Sequence, residues 1–373
     1  ALREVRQDMP PRYYRQLPKL GTSPWEGYPR IYAVARELIA YCEQRLDIDR
    51  ITRFTRAYQQ VTPLTIGELW ALPTMLRLAV LENLAQAVTR LIRQPYEGEE
   101  LSAAQPVPPE LADETVVANC ILGLRMLASQ DWKEFFESVS LVEQVLRGDP
   151  AGIYARMDFE TRNRYRGVVE GLALALGQDE EEIAREAVRL DEQAQSTAYQ
   201  FTTYQSTNYQ PSNRTTHVGF YLIDKGRAKL EARLGYQPPL RERLLRWLLG
   251  HPTLVYLGSI ILCTLAIVLG LVGYALMAGG TPVQLIAVGL LAALPVSALT
   301  VTLVNWLVTQ LVPPRLLPRL DFQEGIPADC CTVVVIPAIL TDAVGVQSLL
   351  DQLEVHYLSN ADPHLYFALL ADL

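Results

Sequence analysis

Residues 251–314 contain no Asp, Glu, Lys or Arg, and this charge-free run constrains the chain more than any other feature. It divides at Ala278-Gly-Gly-Thr-Pro282 into two apolar stretches, residues 253–277 and 283–312. Each exceeds the roughly 20 residues that a helix rising 1.5 Å per residue needs to cross about 30 Å of hydrocarbon. Backbone amides in lipid must be paired within the segment, so both stretches are expected to be transmembrane helices joined as a hairpin. A buried helix pair in a soluble protein is the competing reading, but soluble helices rarely stay uncharged for that length. Pro295 is tolerable inside a membrane helix and predicts a kink. Trp247 and Tyr256 near one end of the run and Trp306 near the other fit interfacial anchors.

The flanks give an orientation. Lys225, Arg227, Lys229, Arg233, Arg241, Arg243 and Arg246 precede the first span, Arg315 and Arg319 follow the second, and the connecting turn has no cation. Cationic loops stay on the cytoplasmic side, so both ends of the hairpin are expected there and the turn on the far side.

At 373 residues the chain is long enough for two or three structural units. Its net charge of −8 speaks against the clustered basic surface of a nucleic-acid binder. The five cysteines, Cys42, Cys120, Cys263, Cys330 and Cys331, form neither a disulfide framework nor a CxxC metal motif, which fits a reducing compartment without structural zinc. Residues 1–15 carry Arg3, Arg6, Arg12 and Arg15 without an apolar core, so no secretory signal is expected there.

Residues 1–245 read as a cytosolic helical region, an all-α bundle or irregular array. Ile31, Val34, Ala35, Leu38, Ile39, Cys42 and Leu46 form one apolar stripe over residues 29–46, and Ile51, Phe54 and Tyr58 continue the pattern to a break at Thr62-Pro63. Thr65 and Glu68 match a capping box, after which Leu76, Val80, Leu84, Val88 and Leu91 mark a helix face that Pro73 should kink or restart. Residues 94–109 read as a loop. Further stripes run through Val116, Val117, Ile121, Leu124 and Leu127, and through Trp132, Phe135, Phe136, Val139, Val142 and Leu146. Asp158 can cap a helix that ends at Gly177, and a last helix starts near Asp179. Residues 195–216, rich in Gln, Thr, Ser, Asn and Tyr, are expected to be a polar, mobile linker; the sequon at Asn213 within them reads as accidental.

After the hairpin, assigned to residues 246–314, residues 315–373 open with a β-α-β pattern. Thr332-Val-Val-Val-Ile-Pro337 is a β-branched apolar run, residues 344–357 are amphipathic, and residues 365–370 form a second apolar run. Parallel sheets bind ligands at the carboxyl ends of their strands, which would put Pro337, Ala338 and Asp372 beside a pocket.

Four strings resemble the amino-terminal part of the cyclic β-1,2-glucan synthases. They are residues 149–166 (DPAGIYARMDFETRNRYR), 62–78 (TPLTIGELWALPTMLRL), 217–227 (HVGFYLIDKGR) and 363–372 (PHLYFALLAD), and they span nearly the whole chain in the family's order. The resemblance implies a bacterial inner-membrane glycosyltransferase that polymerises glucose from UDP-glucose into a cyclic glucan. It implies that residues 315–373 begin a truncated GT-A-like domain, with Asp372 where an acidic residue contacts the nucleotide and Pro337 and Ala338 beside it. Its partners would be the lipid bilayer, UDP-glucose and the growing glucan. Metal-binding and catalytic residues are expected downstream of Leu373, so this chain alone should be inactive, with Mg or Mn needed only by the full-length enzyme. The fold expected is therefore mainly α: a cytosolic helical region, a two-helix membrane hairpin and a first β-α-β unit.

Other candidates read as structural. Arg156, Arg162, Arg164 and Arg166 could grip an anion, but Asp158, Glu160 and Glu170 nearby make internal ion pairs the expected outcome. His217, His356 and His364 lack partners at metal spacing. Glu68 and Trp70 are explained by capping and core packing. The rival reading from another class is a membrane-tethered helical interaction or regulatory module without catalysis.

Overall fold

The computed structural model describes residues 11–21, 25–42, 45–92, 112–204, 217–312, 314, 317–339 and 343–372. The expected loop at residues 94–109, the sequon at Asn213, the second half of the polar linker (205–216) and Arg315 lie outside these residues. The chain divides into two compact units, one of Ala1–Leu234 with Arg319–Leu373 and one of Gly235–Pro318.

The first unit begins with a short helix, α1 (Pro11–Gln16), and then stacks α2 (Arg30–Tyr41), α3 (Ile48–Gln59) and α4 (Ile66–Ile92). The α2 stripe is buried as its spacing requires: Ile31, Val34, Ala35, Leu38, Ile39 and Cys42 are all inside. The capping box at α4 forms, with Glu68 accepting from Thr65 N (2.9 Å) and Thr65 Oγ1 accepting from Glu68 N (3.2 Å). Buried Glu68 also takes two hydrogen bonds from Arg30, which fastens α2 to α4. Pro73 neither restarts nor ends α4, which runs on through it to Ile92.

In α5 (Asp113–Ser129) the stripe is rotated from the one expected. Val116 and Leu127 are buried, but Ile121 is exposed, and Asn119, Cys120 and Gly123 face inward instead. Leu46 explains the rotation: its side chain lies 3.3 Å from where a Cβ on Gly123 would be, so a residue without a side chain admits it. The run from Trp132 to Leu146 is two helices, α6 (Trp132–Val139) and α7 (Leu141–Arg147). Asp131 caps α6 and Ser140 caps α7, each accepting from a backbone N–H of the following turn. Phe135 and Phe136 are buried, and Phe136 stacks on Trp70 with ring centres 4.6 Å apart.

A short 3-10 turn (Tyr154–Arg156) leads to α8 (Phe159–Leu176), which Asp158 caps through Thr161 N (2.9 Å) and Gly177 ends at φ 66°. Next, α9 (Glu180–Tyr204) extends into the stretch expected to be linker, so helical backbone continues as far as Tyr204. It packs against α7, α8 and α10 (Val218–Ile223), which is followed by α11 (Arg227–Leu234).

The remainder of this unit follows Arg319. β1 (Thr332–Ile339), α15 (Ala343–Ser359) and β2 (Leu365–Asp372) form the expected β-α-β unit, with the strands parallel and paired from Thr332↔Leu365 to Ile339↔Asp372.

The second unit contains α12 (Leu240–Gly250), α13 (Pro252–Met277) and α14 (Pro282–Leu311). The last two are 26 and 30 residues long and apolar enough to cross a membrane. Gly279, at φ 83°, turns the chain between them, and Thr281 and Gln284 form a capping box at α14. The pair packs through Val296, Thr300 and Val304, one turn apart, and through Tyr256 Oη donating to Asn305 Oδ1 (2.8 Å). α14 continues through Pro295. Because α13 and α14 run antiparallel, Trp306 lies at the same end of the pair as Tyr256, as a hairpin requires.

Candidate functional site

The carboxyl ends of the two strands come together as the β-α-β pattern requires. Pro337 pairs in register with Leu370, Ala338 with Ala371, and Ile339 with Asp372, so all three sequence-chosen residues share one end of the sheet. Pro337 is exposed and Ala338 half-buried. At the opposite end Asp362 accepts from Ile326 N (2.9 Å) and His364 N (2.8 Å), and these backbone donors hold its carboxyl below the usual carboxylate range. A groove of about 480 Å³ opens beside the amino-terminal part of β2, between Leu350, Tyr357, Asp362 and Phe367. It is not at the strand ends where Pro337, Ala338 and Asp372 lie. One face of the sheet is bare: Val333, Val335, Tyr366 and Leu370 are all more than half exposed or close to it, while Tyr357 of α15 packs edge-on against Phe367 on the other. Parallel strands are ordinarily covered on both faces.

The string of residues 149–166 receives the chain that enters the sheet. Met157 makes an antiparallel bridge with Leu320, Asp158 N donates to Arg319 O (3.0 Å), Asp321 N donates to Arg156 O (2.8 Å), and Arg319 N donates to Thr161 Oγ1 (3.1 Å). Arg156 adds a two-pronged pair with Asp329 at 2.8 and 3.1 Å. The β-α-β unit is thus tied by backbone to the start of α8.

The rest of the string builds the interior. Arg166 is fully buried, 2.6 Å from Glu143 Oε2, with its guanidinium 4.9 Å over the rings of both Phe136 and Phe159. Glu143 also accepts from Tyr154 Oη (2.7 Å) and Arg147 Nε (2.8 Å). Burial pushes the Glu143 carboxyl up, but hydrogen bonds from Arg147, Tyr154 and Arg166 and the charge of Arg166 outweigh it and hold the group below its ordinary value. Arg162 pairs with Glu137 at 2.7 Å. Internal pairing of these arginines is as expected, but the partners of Arg156, Arg162 and Arg166 are Asp329, Glu137 and Glu143 rather than the neighbouring acids.

Sequence reasoning missed a second buried cluster. Asp149 accepts from Ile153 N, Tyr154 N and Val218 N, and its Oδ2 lies 3.0 Å from His217 Nδ1. Burial raises the Asp149 carboxyl, yet these bonds, led by His217, hold it low. Asp191 of α9 lies against it, fully buried, with neither carboxylate oxygen accepting a hydrogen bond from any donor. Two carboxylates offer only acceptors, so a bond between them requires a proton. Burial first, then Asp149, push Asp191 up to about 7, and its acid form supplies the missing donor. The sequence signals for this cluster were the two unusual strings that start at Asp149 and at His217.

Among the described residues no three His, Cys, Asp or Glu side chains converge to hold a metal ion.

No protein-family model matches the chain. Over its whole length it is 31% identical, in an alignment of 440 residues, to the cyclic β-(1,2)-glucan synthase NdvB of Rhizobium meliloti (strain 1021), matching the amino-terminal part of that protein. The chain spans 15% of the length of this relative.

Proposed function

We propose that the chain is the amino-terminal portion of a membrane-bound glucan synthase that polymerises glucose from UDP-glucose into cyclic β-1,2-glucan. The observation that carries the reading is the similarity to NdvB, which extends over the whole chain and includes both apolar helices. In this reading α13 and α14 cross a bacterial inner membrane, with both ends of the hairpin cytoplasmic by the excess of Arg and Lys there. Residues 1–245 are the cytosolic helical region, residues 246–314 the membrane hairpin and residues 315–373 the start of a GT-A-like transferase domain. The bare face of the two-stranded sheet supports that last assignment, because parallel strands are ordinarily covered on both faces.

Asp372, with Pro337 and Ala338, is assigned to the mouth of the UDP-glucose pocket, at the strand ends where such sheets bind ligands. Residues that activate the acceptor and hold Mg or Mn lie beyond this chain, which by itself is inactive.

The test uses membranes carrying the longer protein and radiolabelled UDP-glucose. Wild-type membranes should incorporate label into glucan, and membranes carrying only these 373 residues should not. Asp372→Asn removes a charged hydrogen-bond partner contributing roughly 1.5 to 3 kcal/mol, so incorporation at limiting UDP-glucose should fall about ten- to hundredfold. Unchanged incorporation by that variant would take Asp372 out of the donor site. Absence of labelled glucan from the wild-type protein would overturn the synthase reading itself.

A further inference from the structure

Among the described residues of its own unit, nothing buries the apolar side chains of helix α12. None of its 11 residues is buried, and Leu240, Leu244 and Trp247 are 82%, 59% and 50% exposed. At 100° per residue, Leu240, Leu244, Trp247 and Leu248 fall on one stripe, and Leu245 and Leu249 fall outside it. Arg241 and Arg243 flank that stripe on either side, and Glu242 and Arg246 lie away from it.

The helix is not simply the start of a span. The chain leaves helical geometry at His251 (φ −124°, ψ 57°) and re-enters it at Pro252, the first residue of α13. That break lets the axis turn between the two helices. The single acid is already engaged, since Glu242 takes hydrogen bonds from Arg246 (2.5 Å) and from Tyr236 Oη (2.8 Å). The helix therefore keeps a net positive charge.

We infer that α12 lies in the headgroup layer of the membrane that the hairpin crosses, Leu240, Leu244, Trp247 and Leu248 in the acyl boundary and Arg241 and Arg243 on the phosphates of anionic lipids. This rests on the reading that α13 and α14 are transmembrane. Continuity supplies the occupant: one residue separates α12 from a helix that itself needs lipid around it, so the apolar stripe starts at the membrane surface. Charge complementarity selects the lipid, because flanking arginines can bury their stems along the stripe while their guanidinium groups reach anionic headgroups.

The experiment uses the full chain reconstituted in vesicles of phosphatidylcholine, alone or mixed with phosphatidylglycerol, containing lipids brominated at shallow or deep acyl positions. Tryptophan quenching is compared between wild type and Trp247→Phe, so that the difference isolates Trp247. Shallow bromines should quench this component more than deep ones, and brominated phosphatidylglycerol more than brominated phosphatidylcholine. Replacing Arg241 and Arg243 by Gln should weaken the anionic-lipid preference roughly fivefold per arginine while leaving shallow quenching in place. If the chain stays in the membrane after alkaline carbonate washing but Trp247 is unquenched, α12 is covered by protein and the inference fails alone. If carbonate releases the chain, the transmembrane reading fails and the inference with it. Equal quenching by both headgroups would overturn the anionic part.

Discussion

Neutralising Glu143 should destabilise the helical region more than any single change on its surface. Glu143 and Arg166 are both fully buried and 2.6 Å apart, and Glu143 also takes hydrogen bonds from Tyr154 and Arg147. Glu143→Gln keeps the shape but leaves the Arg166 guanidinium without its close counter-charge; Glu137 remains 3.7 Å away and partly compensates. Breaking a buried pair from one side costs about 3 to 5 kcal/mol, and the presence of Glu137 places the expectation near ~3 kcal/mol. Arg166→Met should cost less, about 1.5 to 3 kcal/mol, because Glu143 keeps Arg147 and Tyr154 and is not left alone. The double variant should lose less than the sum, since no lone charge stays buried. Urea unfolding of the chain in mild detergent, followed by tryptophan fluorescence, measures all three, as Trp70 stacks on Phe136 beside the pair. A Glu143→Gln midpoint within ~0.5 kcal/mol of wild type would show that the pair is hydrated in solution and refute the argument.

Asp191 is pushed up to about 7, so between the ordinary carboxylate range and pH 7 the folded protein holds a proton that the unfolded chain has lost, and stability should fall as pH rises through that window. Asp149, His217, Glu192 and Tyr221 are the titratable groups around it, and Glu180, raised to about 7 by burial, adds a slope of the same sign. Asp191→Asn, whose amide can donate to Asp149, should flatten the pH dependence of the urea midpoint and leave the shares of Glu180 and of Glu170, which burial also raises; an unchanged slope would place the proton elsewhere. Phe136→Ala should cost about 3 to 5 kcal/mol, because the ring is buried between Trp70 and Arg166, and an unaltered melting midpoint would contradict that packing. Gly219→Ala would bring a methyl inside contact distance of Tyr165 Oη and His217 Nε2, costing about 1 to 3 kcal/mol, whereas Gly171→Ala, with open space at its Cβ, should be near neutral in the same melt.

The sequence by itself determined the features written in short stretches of chain. Two runs without charge established α13 and α14, the four-residue spacing of Ile31, Ala35 and Ile39 established the buried face of α2, and Thr65-x-x-Glu68 and Asp158 marked helix starts that form as expected. Such signals are legible because a cap or a helical stripe is specified by residues within one or two turns of one another. The order of Thr332, Val344 and Leu365 likewise announced the β-α-β unit, and parallel pairing then brought Pro337, Ala338 and Asp372 to one end of it. Only the tertiary structure decided which acids meet which bases. Arg166 passes over adjacent carboxylates for Glu143, 23 residues away, Asp149 meets His217 across 68 residues, and Arg156 meets Asp329 across 173. Charge pairing in an interior is settled by which helices pack, since a buried ion must find its partner wherever packing places one. The same reason moved the buried face of α5 from Ile121 to Cys120 and Gly123: helical periodicity allows either face, and the Leu46 side chain filling the space at Gly123 selected one.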